Sequence, residues 1–189
     1  MIHKIILFNK IDLYSPDEIK ELEILREVYS NIGYDCFKIS AKKKGTLKNI
    51  INLMKGKTNM FSGNSGVGKS TLINTLFPKL KLKTIEISST HKQGKHATTF
   101  SEMHDLNDGI KIVDTPGVKS FGIVDINPEE LDNYFPEFLA LKSNCRFNNC
   151  MHVKEPNCAI KLGLEEKIIS QTRYDSYIDL IKKDNYKIR

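Results

Sequence analysis

The segment of residues 63–70 places glycines, a lysine and a serine in an order that suits phosphate binding. Its sequence, GNSGVGKS, fits G-x-x-x-x-G-K-[ST] and stands between a strand pattern and a helix pattern. Glycines let backbone N–H groups point at phosphate oxygens, and the helix N-terminus adds partial positive charge. Lys69 would reach the β- and γ-phosphates, and the Ser70 hydroxyl would bind Mg²⁺. The predicted nucleotide contacts in this P-loop are Gly63, Asn64, Ser65, Gly66, Val67, Gly68, Lys69, Ser70 and Thr71.

A second phosphate motif, Asp-Thr-Pro-Gly, begins at Asp114, directly after an apolar strand pattern. The Asp114 carboxylate is expected to hold Mg²⁺ through water. The Gly117 N–H is expected to meet the γ-phosphate and to move when that phosphate leaves. An ordinary turn would explain the tetrapeptide alone, but its place at a strand end downstream of a P-loop favours the phosphate interpretation.

The tetrapeptide Asn9-Lys10-Ile11-Asp12, which also follows an apolar strand pattern, predicts a guanine site. The Asp12 carboxylate can accept hydrogen bonds from guanine N1–H and the 2-amino group. Adenine would leave that carboxylate facing a lone pair, and an unpaired polar group rejects a ligand strongly. Lys10 can lay its stem over the base, while Asn9 braces the loop.

A second base-binding element is expected at Ser40-Ala41-Lys42, where the Ala41 N–H could donate to guanine O6. The base motifs thus precede the phosphate motifs, the reverse of the usual order in GTPases. This order predicts a circular permutation that puts the Asp114 motif directly before the C-terminal segment.

Strand and helix patterns alternate in the first two thirds of the chain, which predicts an α/β fold with ligands at the carboxyl ends of the strands. A capping box at Ser15 starts the first helix, and Pro78 ends the one after the P-loop. We predict a circularly permuted P-loop GTPase three-layer fold over residues 1–126 and a small zinc-binding helical subdomain over 127–189. Strands are expected at residues 5–8, 35–39, 59–62, 100–106 and 110–114.

Four potential metal ligands occur within fourteen residues in the pattern Cys145-x₄-Cys150-x-His152-x₅-Cys158. A closed Cys₃His set suits tetrahedral structural zinc and leaves no position open for catalysis. Free thiols are the alternative. A metal clip of this kind would stabilise a segment too short to build its own core.

The charge is uneven: the net formal charge is +6, and residues 36–85 contain no acidic side chain but eleven lysines. This stretch is either a set of solvated helix faces or a positive field for nucleotide phosphates and RNA. The sequence has no apolar run long enough for a membrane span and no signal-peptide pattern, so we expect a cytoplasmic protein. We also expect it to be a monomer and to have no membrane partner.

Taken together, these motifs resemble the RsgA (YjeQ/EngC) family of ribosome small-subunit-dependent GTPases. Further matching segments begin at Gly94, Phe135, Cys145 and Arg173. The resemblance implies GTP hydrolysis to GDP in the maturation of the small (30S) ribosomal subunit, with binding to its rRNA.

The resemblance also suggests catalytic residues. Val118 stands where many GTPases have a water-orienting glutamine, so His96 is expected to position the attacking water, with Thr98 (alternatively Thr99) as a Mg²⁺ ligand. The family pattern has a threonine at Ala97.

The family normally carries an oligonucleotide-binding barrel before the GTPase domain, and permuted members place a sheet strand upstream of the base motif. We expect this chain to lack both. Two alternatives to a GTPase therefore remain: a GTP-binding module that does not hydrolyse, and a zinc-dependent RNA-binding fragment with a vestigial nucleotide site.

Overall fold

A computed structural model of the chain describes residues 2–81, 102–114 and 126–184, with the backbone alone at residues 102, 114, 183 and 184. The chain divides into two compact units, residues 1–122 and 123–189. The division between 126 and 127 that the sequence suggests stays a prediction.

The first unit opens with a parallel strand pair joined by a helix. Strand β1 (Ile5–Phe8) pairs with β2 (Asp35–Lys38), and α1 (Pro16–Asn31) connects them. The predicted capping box is confirmed, because the Ser15 side chain accepts from the Glu18 N–H and Glu18 accepts from the Ser15 N–H. Gly33, at φ 102°, lies in the left-handed region just after the helix and lets the chain turn toward β2.

A second sheet has the strand order β3-β5-β4. Strand β3 pairs parallel with β5, and β4 pairs antiparallel with β5 at the edge. Asn107, Asp108 and Gly109 form the predicted turn between β4 and β5. The elements are α2 (Lys48–Met54), β3 (Thr58–Met60), α3 (Lys69–Leu76), β4 (Glu102–Asp105) and β5 (Lys111–Asp114).

One hydrophobic core supports both sheets. Ile39 follows β2, Ile112 lies in β5, and both are fully buried. Leu72 and Ile73 of α3 are buried in the same core. Within the described residues, however, β1 pairs only with β2, and β3 pairs only with β5. The two sheets therefore meet through side chains and loops, without backbone pairing between β1 and β3.

The second unit is helical. Its elements are a 3₁₀ helix (Pro128–Tyr134), α4 (Pro136–Leu139), a 3₁₀ turn (Lys142–Asn144), α5 (Ala159–Glu165) and α6 (Gln171–Asp184). Tyr177 of α6 is buried and packs edge-on against Phe135 and at a tilt against Phe138. The Arg173 guanidinium pairs with the Glu137 carboxylate at 2.6 Å. These contacts hold α6 against α4.

Among the described residues, no helix is long and apolar enough to cross a membrane.

Candidate nucleotide and metal sites

The P-loop joins the end of β3 to the start of α3. Gly63, Gly66 and Gly68 all have positive φ, at 150°, 79° and 98°, which bends the loop in a way that few other residues tolerate. Helix α3 begins at Lys69, so its first N–H groups lie at the loop, as phosphate binding requires. The Lys69 amine donates to the Gly63 and Asn64 carbonyls at 2.5 and 2.9 Å.

Asn9 connects the base motif to two other loops. Its side-chain Oδ1 accepts from the Ala41 N–H at 2.9 Å, and its Nδ2 donates to the Val67 carbonyl at 2.9 Å. One amide therefore ties the loop after β1 to the loop after β2 and to the P-loop. The bracing role predicted for Asn9 agrees with this geometry, whereas a hydrogen bond from Ala41 to guanine O6 stays a prediction.

Lys10 makes a second connection between the base motif and the P-loop. It lies in the left-handed region at φ 68°, and its amine donates to the Gly66 carbonyl at 2.6 Å. Both motifs border a cleft of about 430 Å³. The residues that line the cleft are Leu7, Phe8, Asn9, Lys10, Tyr14, Phe61, Ser62, Ser65, Gly66, Val67, Gly68, Lys69 and Leu72.

Asp12 lies beside the loop of residues 40–42. The hydroxyl of Ser40 lowers the pKa of the Asp12 carboxyl below its usual value, with Lys42 and Lys43 adding to the effect. Ser40 is fully buried, and its backbone N–H donates to Thr46 Oγ1 at 3.1 Å. Asp12 is thus an ionised acceptor at neutral pH, the state that guanine N1–H and its amino group need.

Asp114 ends β5, whose parallel pairing with β3 sets Val113 opposite Met60. The carboxyl ends of parallel strands share one edge, so Asp114 and the start of the P-loop lie at the same edge of the sheet. The side chain of Asp114 lies outside the part of the chain that the structure describes. The predicted switch and catalytic residues also lie outside the described residues, so their roles stay predictions. They are His96, Ala97, Thr98, Thr99, Gly117 and Val118.

In the second unit, the ligand atoms of Cys145, Cys150, His152 and Cys158 lie within 4.8 Å of one another. His152 Nδ1 is 3.7 Å from the Cys145 sulfur and 3.4 Å from that of Cys158. A tetrahedral zinc centre with ordinary Zn–S and Zn–N bonds requires N–S separations of about 3.6 Å. The donor set and its spacing therefore fit a tetrahedral metal ion.

Burial favours the uncharged forms of the side chains in this cluster. Desolvation raises the pKa of the Cys150 thiol to about 12, and neighbouring Cys158 adds to the rise. Burial also lowers the pKa of His152, although Asp132 opposes that effect. A neutral imidazole is the form that binds metals. The thiols, in contrast, must release their protons before they can bind a cation as thiolates.

The loop that carries the cluster is fixed by side chains around it. The Glu155 carboxylate accepts from three backbone N–H groups, those of Met151, Val153 and Lys154, at 2.9–3.0 Å. The Tyr174 and Tyr177 hydroxyls donate to the carbonyls of His152 and Met151, at 2.7 and 2.9 Å. Both tyrosines therefore act in packing and loop support.

Comparison with known proteins identifies the fold and the family. The family model described as RsgA GTPase matches residues 1–124. The chain belongs to the RsgA GTPase family. A small ribosomal subunit biogenesis GTPase RsgA from Christiangramia forsetii is 50% identical over 186 residues, which make up 97% of this chain and 59% of that protein. Its counterpart from Flavobacterium psychrophilum is 49% identical over 188 residues, 100% of this chain and 58% of that protein.

Two solved structures have a fold similar to that of this chain. YjeQ from Thermotoga maritima matches with a TM-score of 0.82 at 36% identity, over 96% of this chain and 59% of that one. YloQ, described as a circularly permuted GTPase, matches with a TM-score of 0.77 at 33% identity, over 98% of this chain and 58% of that one. The predicted permuted GTPase fold is therefore confirmed. The RsgA-family chain spans about three fifths of the length of these relatives.

Two residues beside the Cys/His cluster of this RsgA-family chain were not identified from the sequence. Asp132 approaches His152 from 20 positions upstream, and Glu155 caps the loop between His152 and Cys158. Glu155 could have been suspected because it is the single acidic residue between the first and last ligands. Asp132 gives no such signal, since only the folded chain brings it close.

The contact between the P-loop and Asn9 leads to a prediction about Gly68. A Cβ at this position would lie 2.5 Å from Asn9 Nδ2, and the φ of 98° is unfavourable for any L side chain. We expect Gly68→Ala to break the Asn9–Val67 bond, lower the free energy of unfolding by about 1–2 kcal/mol, and weaken GDP binding at least tenfold. Urea unfolding and titration with a fluorescent GDP analogue measure these effects.

Gly45→Ala provides the matched control, because a Cβ there would meet nothing within 4 Å. If both variants bound GDP like the parent, the close approach of Asn9 to the P-loop would have no role in nucleotide binding.

Proposed function

We propose that this chain binds a guanine nucleotide with Mg²⁺, hydrolyses GTP to GDP and phosphate, and acts in maturation of the small ribosomal subunit. The observation that carries the proposal is the double contact of Asn9, which connects the base motif to the P-loop. This contact supports a shared site for two motifs that are separated by more than fifty residues, as a single nucleotide requires.

Separate residues would bind the guanine base, the phosphates and Mg²⁺. Asp12 accepts from the guanine edge, Lys10 covers the base, and Ser40, Ala41 and Lys42 complete the base site. The P-loop amides and Lys69 bind the phosphates, where preorganised positive charge stabilises the transition state. The groups that would hold Mg²⁺ are Ser70 and Thr98 directly and Asp114 through water; the ion would neutralise charge between the phosphates.

Hydrolysis also needs a group that positions water. We assign this role to His96, with Thr98 as the switch residue that reaches Mg²⁺ and Thr99 as its alternative. The Gly117 N–H would contact the γ-phosphate. Since a valine at position 118 cannot orient water, intrinsic turnover is expected to be slow and to rise on the ribosomal particle.

The partner proposal follows from the relatives, which are named small ribosomal subunit biogenesis GTPases. The eleven lysines of residues 36–85 provide charge that suits rRNA phosphates. We propose a cytoplasmic monomer that binds the 30S subunit, with a GTPase domain over 1–126 and a metal-binding subdomain over 127–189.

We assign the metal as zinc, with a structural role. Three thiols and one imidazole are soft or borderline donors, which favour zinc over magnesium or calcium. All four positions of a tetrahedral ion are taken by protein, so the ion would hold the loop of residues 145–158 together.

The test is phosphate release from GTP by the purified chain, with ATP as the control nucleotide, in the presence and absence of 30S subunits. We expect slow GTP turnover that rises with 30S particles and no stimulated ATP turnover. A folded sample that binds GDP but shows no GTP turnover with 30S subunits would contradict the hydrolytic proposal.

A second function, GTP binding without hydrolysis, is favoured by two sequence observations. Val118 replaces the water-orienting residue of many GTPases, and Ala97 stands where the family pattern has a threonine. Tight GTP binding with no turnover under any condition would support this function over the first.

A further inference from the structure

We propose that Asp132 is a positioning residue for the metal centre: it accepts the Nε2–H of His152 and thereby turns Nδ1 toward the ion. The inference rests on the zinc centre proposed above. It concerns a residue outside the Cys₃His set, carried by the 3₁₀ helix of Pro128–Tyr134.

The two nitrogens of His152 face different partners. Nδ1 lies 3.4 Å from the Cys158 sulfur, and Nε2 lies 3.4 Å from Oδ2 of Asp132. A neutral imidazole carries one N–H, so a proton on Nε2 leaves the lone pair on Nδ1, the nitrogen that faces the sulfurs. A carboxylate behind a ligating histidine fixes its tautomer and ring orientation and makes it a stronger ligand.

Asp132 is itself held in place. Its side chain is 10% exposed, and the Lys142 amine lies 3.3 and 3.2 Å from its two oxygens. The Lys142 amine also donates to Asn133 Oδ1 at 2.5 Å. Asn133 is the neighbour of Asp132 in the 3₁₀ helix, so this bond holds the amine beside the carboxylate. The lysine balances the carboxylate charge in a poorly hydrated position, while Oδ2 remains directed at the imidazole.

Phe138 packs edge-on against the His152 ring and limits which groups can reach Nε2. Their centroids are 5.9 Å apart with planes at 90°, and Tyr177 lies 6.0 Å from the same ring. Aromatic walls restrain the imidazole plane but supply no hydrogen-bond acceptor to Nε2. Among the described residues, the hydrogen-bond partner found at Nε2 is Asp132.

The first experiment measures zinc affinity by competition with a chromophoric chelator in the full chain. We expect Asp132→Ala to weaken zinc binding about 10–100-fold. Asp132→Asn keeps an oxygen acceptor and should lose less. Glu130→Gln, an exposed position on the same helix, is the charge-matched control and should bind zinc like the parent.

The second experiment separates positioning of the imidazole from a general effect on folding. In a His152→Cys background the site has four thiolates and no imidazole to orient, so Asp132→Ala should cost nothing further. An equal loss of affinity in both backgrounds would overturn the proposal.

Absorption of the Co²⁺-loaded chain provides an independent measurement if the four-thiolate variant binds metal poorly. At saturating Co²⁺, Asp132→Ala should shift the d–d bands of the parent, whereas Glu130→Gln should not. Unchanged bands in Asp132→Ala would overturn the positioning role. Failure of the parent chain to bind either ion would instead reject the metal centre itself.

Discussion

Asp12→Asn is expected to exchange the nucleotide preference from guanine to xanthine. In the proposed site, the parent carboxylate would accept from N1–H and the 2-amino group of guanine. An asparagine would set its amide N–H₂ against that amino group, so two donors would face each other. We expect GTP affinity to fall on the order of 100-fold or more, because a lost charged hydrogen bond and an unpaired donor are both costly.

Xanthine offers a carbonyl in place of the amino group, and the asparagine amide can donate to it. Affinity for XTP should therefore rise in the same variant, and competition of GTP and XTP against a fluorescent nucleotide measures both changes. Asp17→Asn is the control, since Asp17 is an exposed acid of α1 paired with Lys20. A variant that lost GTP without gaining XTP would contradict direct contact between Asp12 and the base.

Cys158→Ser is expected to abolish binding of the proposed metal and with it the folded state of the second unit. Cys158 is buried, stands at the N-terminus of α5 and belongs to the same core as Phe138 and Tyr177. Structural zinc contributes about 10 kcal/mol of apparent folding free energy in small domains, comparable with the whole stability of a domain at about 5–15 kcal/mol. Near-ultraviolet circular dichroism, which reports ordered tyrosines, should show the loss.

Removing the proposed zinc ion with a chelator should reproduce the effect in the parent chain. Acid should have the same effect, because metal binding requires the Cys150 thiolate and burial raises the pKa of this thiol to about 12. Protons therefore compete with the metal for the sulfur throughout the neutral range. Metal affinity then falls as pH falls. Cys36→Ser, in β2 of the other unit, is the control and should leave the tyrosine signal intact. A stable tyrosine signal in Cys158→Ser would exclude a structural metal.

The elements that form the nucleotide site were predictable because each obeys a local rule. The capping box at Ser15, the turn at Gly109 and the start of α3 at Lys69 all depend on neighbouring residues. Strand lengths were less accurate: β3 ends at Met60, whereas the pattern predicted a strand as far as Ser62. The paired register of β3 with β5 ends at Met60 and Val113.

Contacts between distant segments were predictable only where a motif implied them. The bracing role of Asn9 followed from its place in the base motif, but its bond to the Val67 carbonyl depends on the P-loop conformation. The carboxylate of Asp132 was not predictable, because no spacing rule relates it to His152. Sequence patterns thus identify ligands more readily than the groups that orient them.

The absence of pairing between β1 and β3 among the described residues bears on when the first unit would loosen during the proposed cycle of GTP binding and hydrolysis. The proposed guanine contacts lie in the half built on β1 and β2, and the proposed phosphate contacts lie in the half built on β3. A guanine nucleotide would bridge these halves. Hydrolysis removes the γ-phosphate but leaves the base and the inner phosphates in place, so the bridge would persist in the GDP state. Product dissociation would remove this bridge and leave the shared core and the Asn9 and Lys10 bonds as the links between the halves, so nucleotide exchange would be the step at which this part of the molecule relaxes.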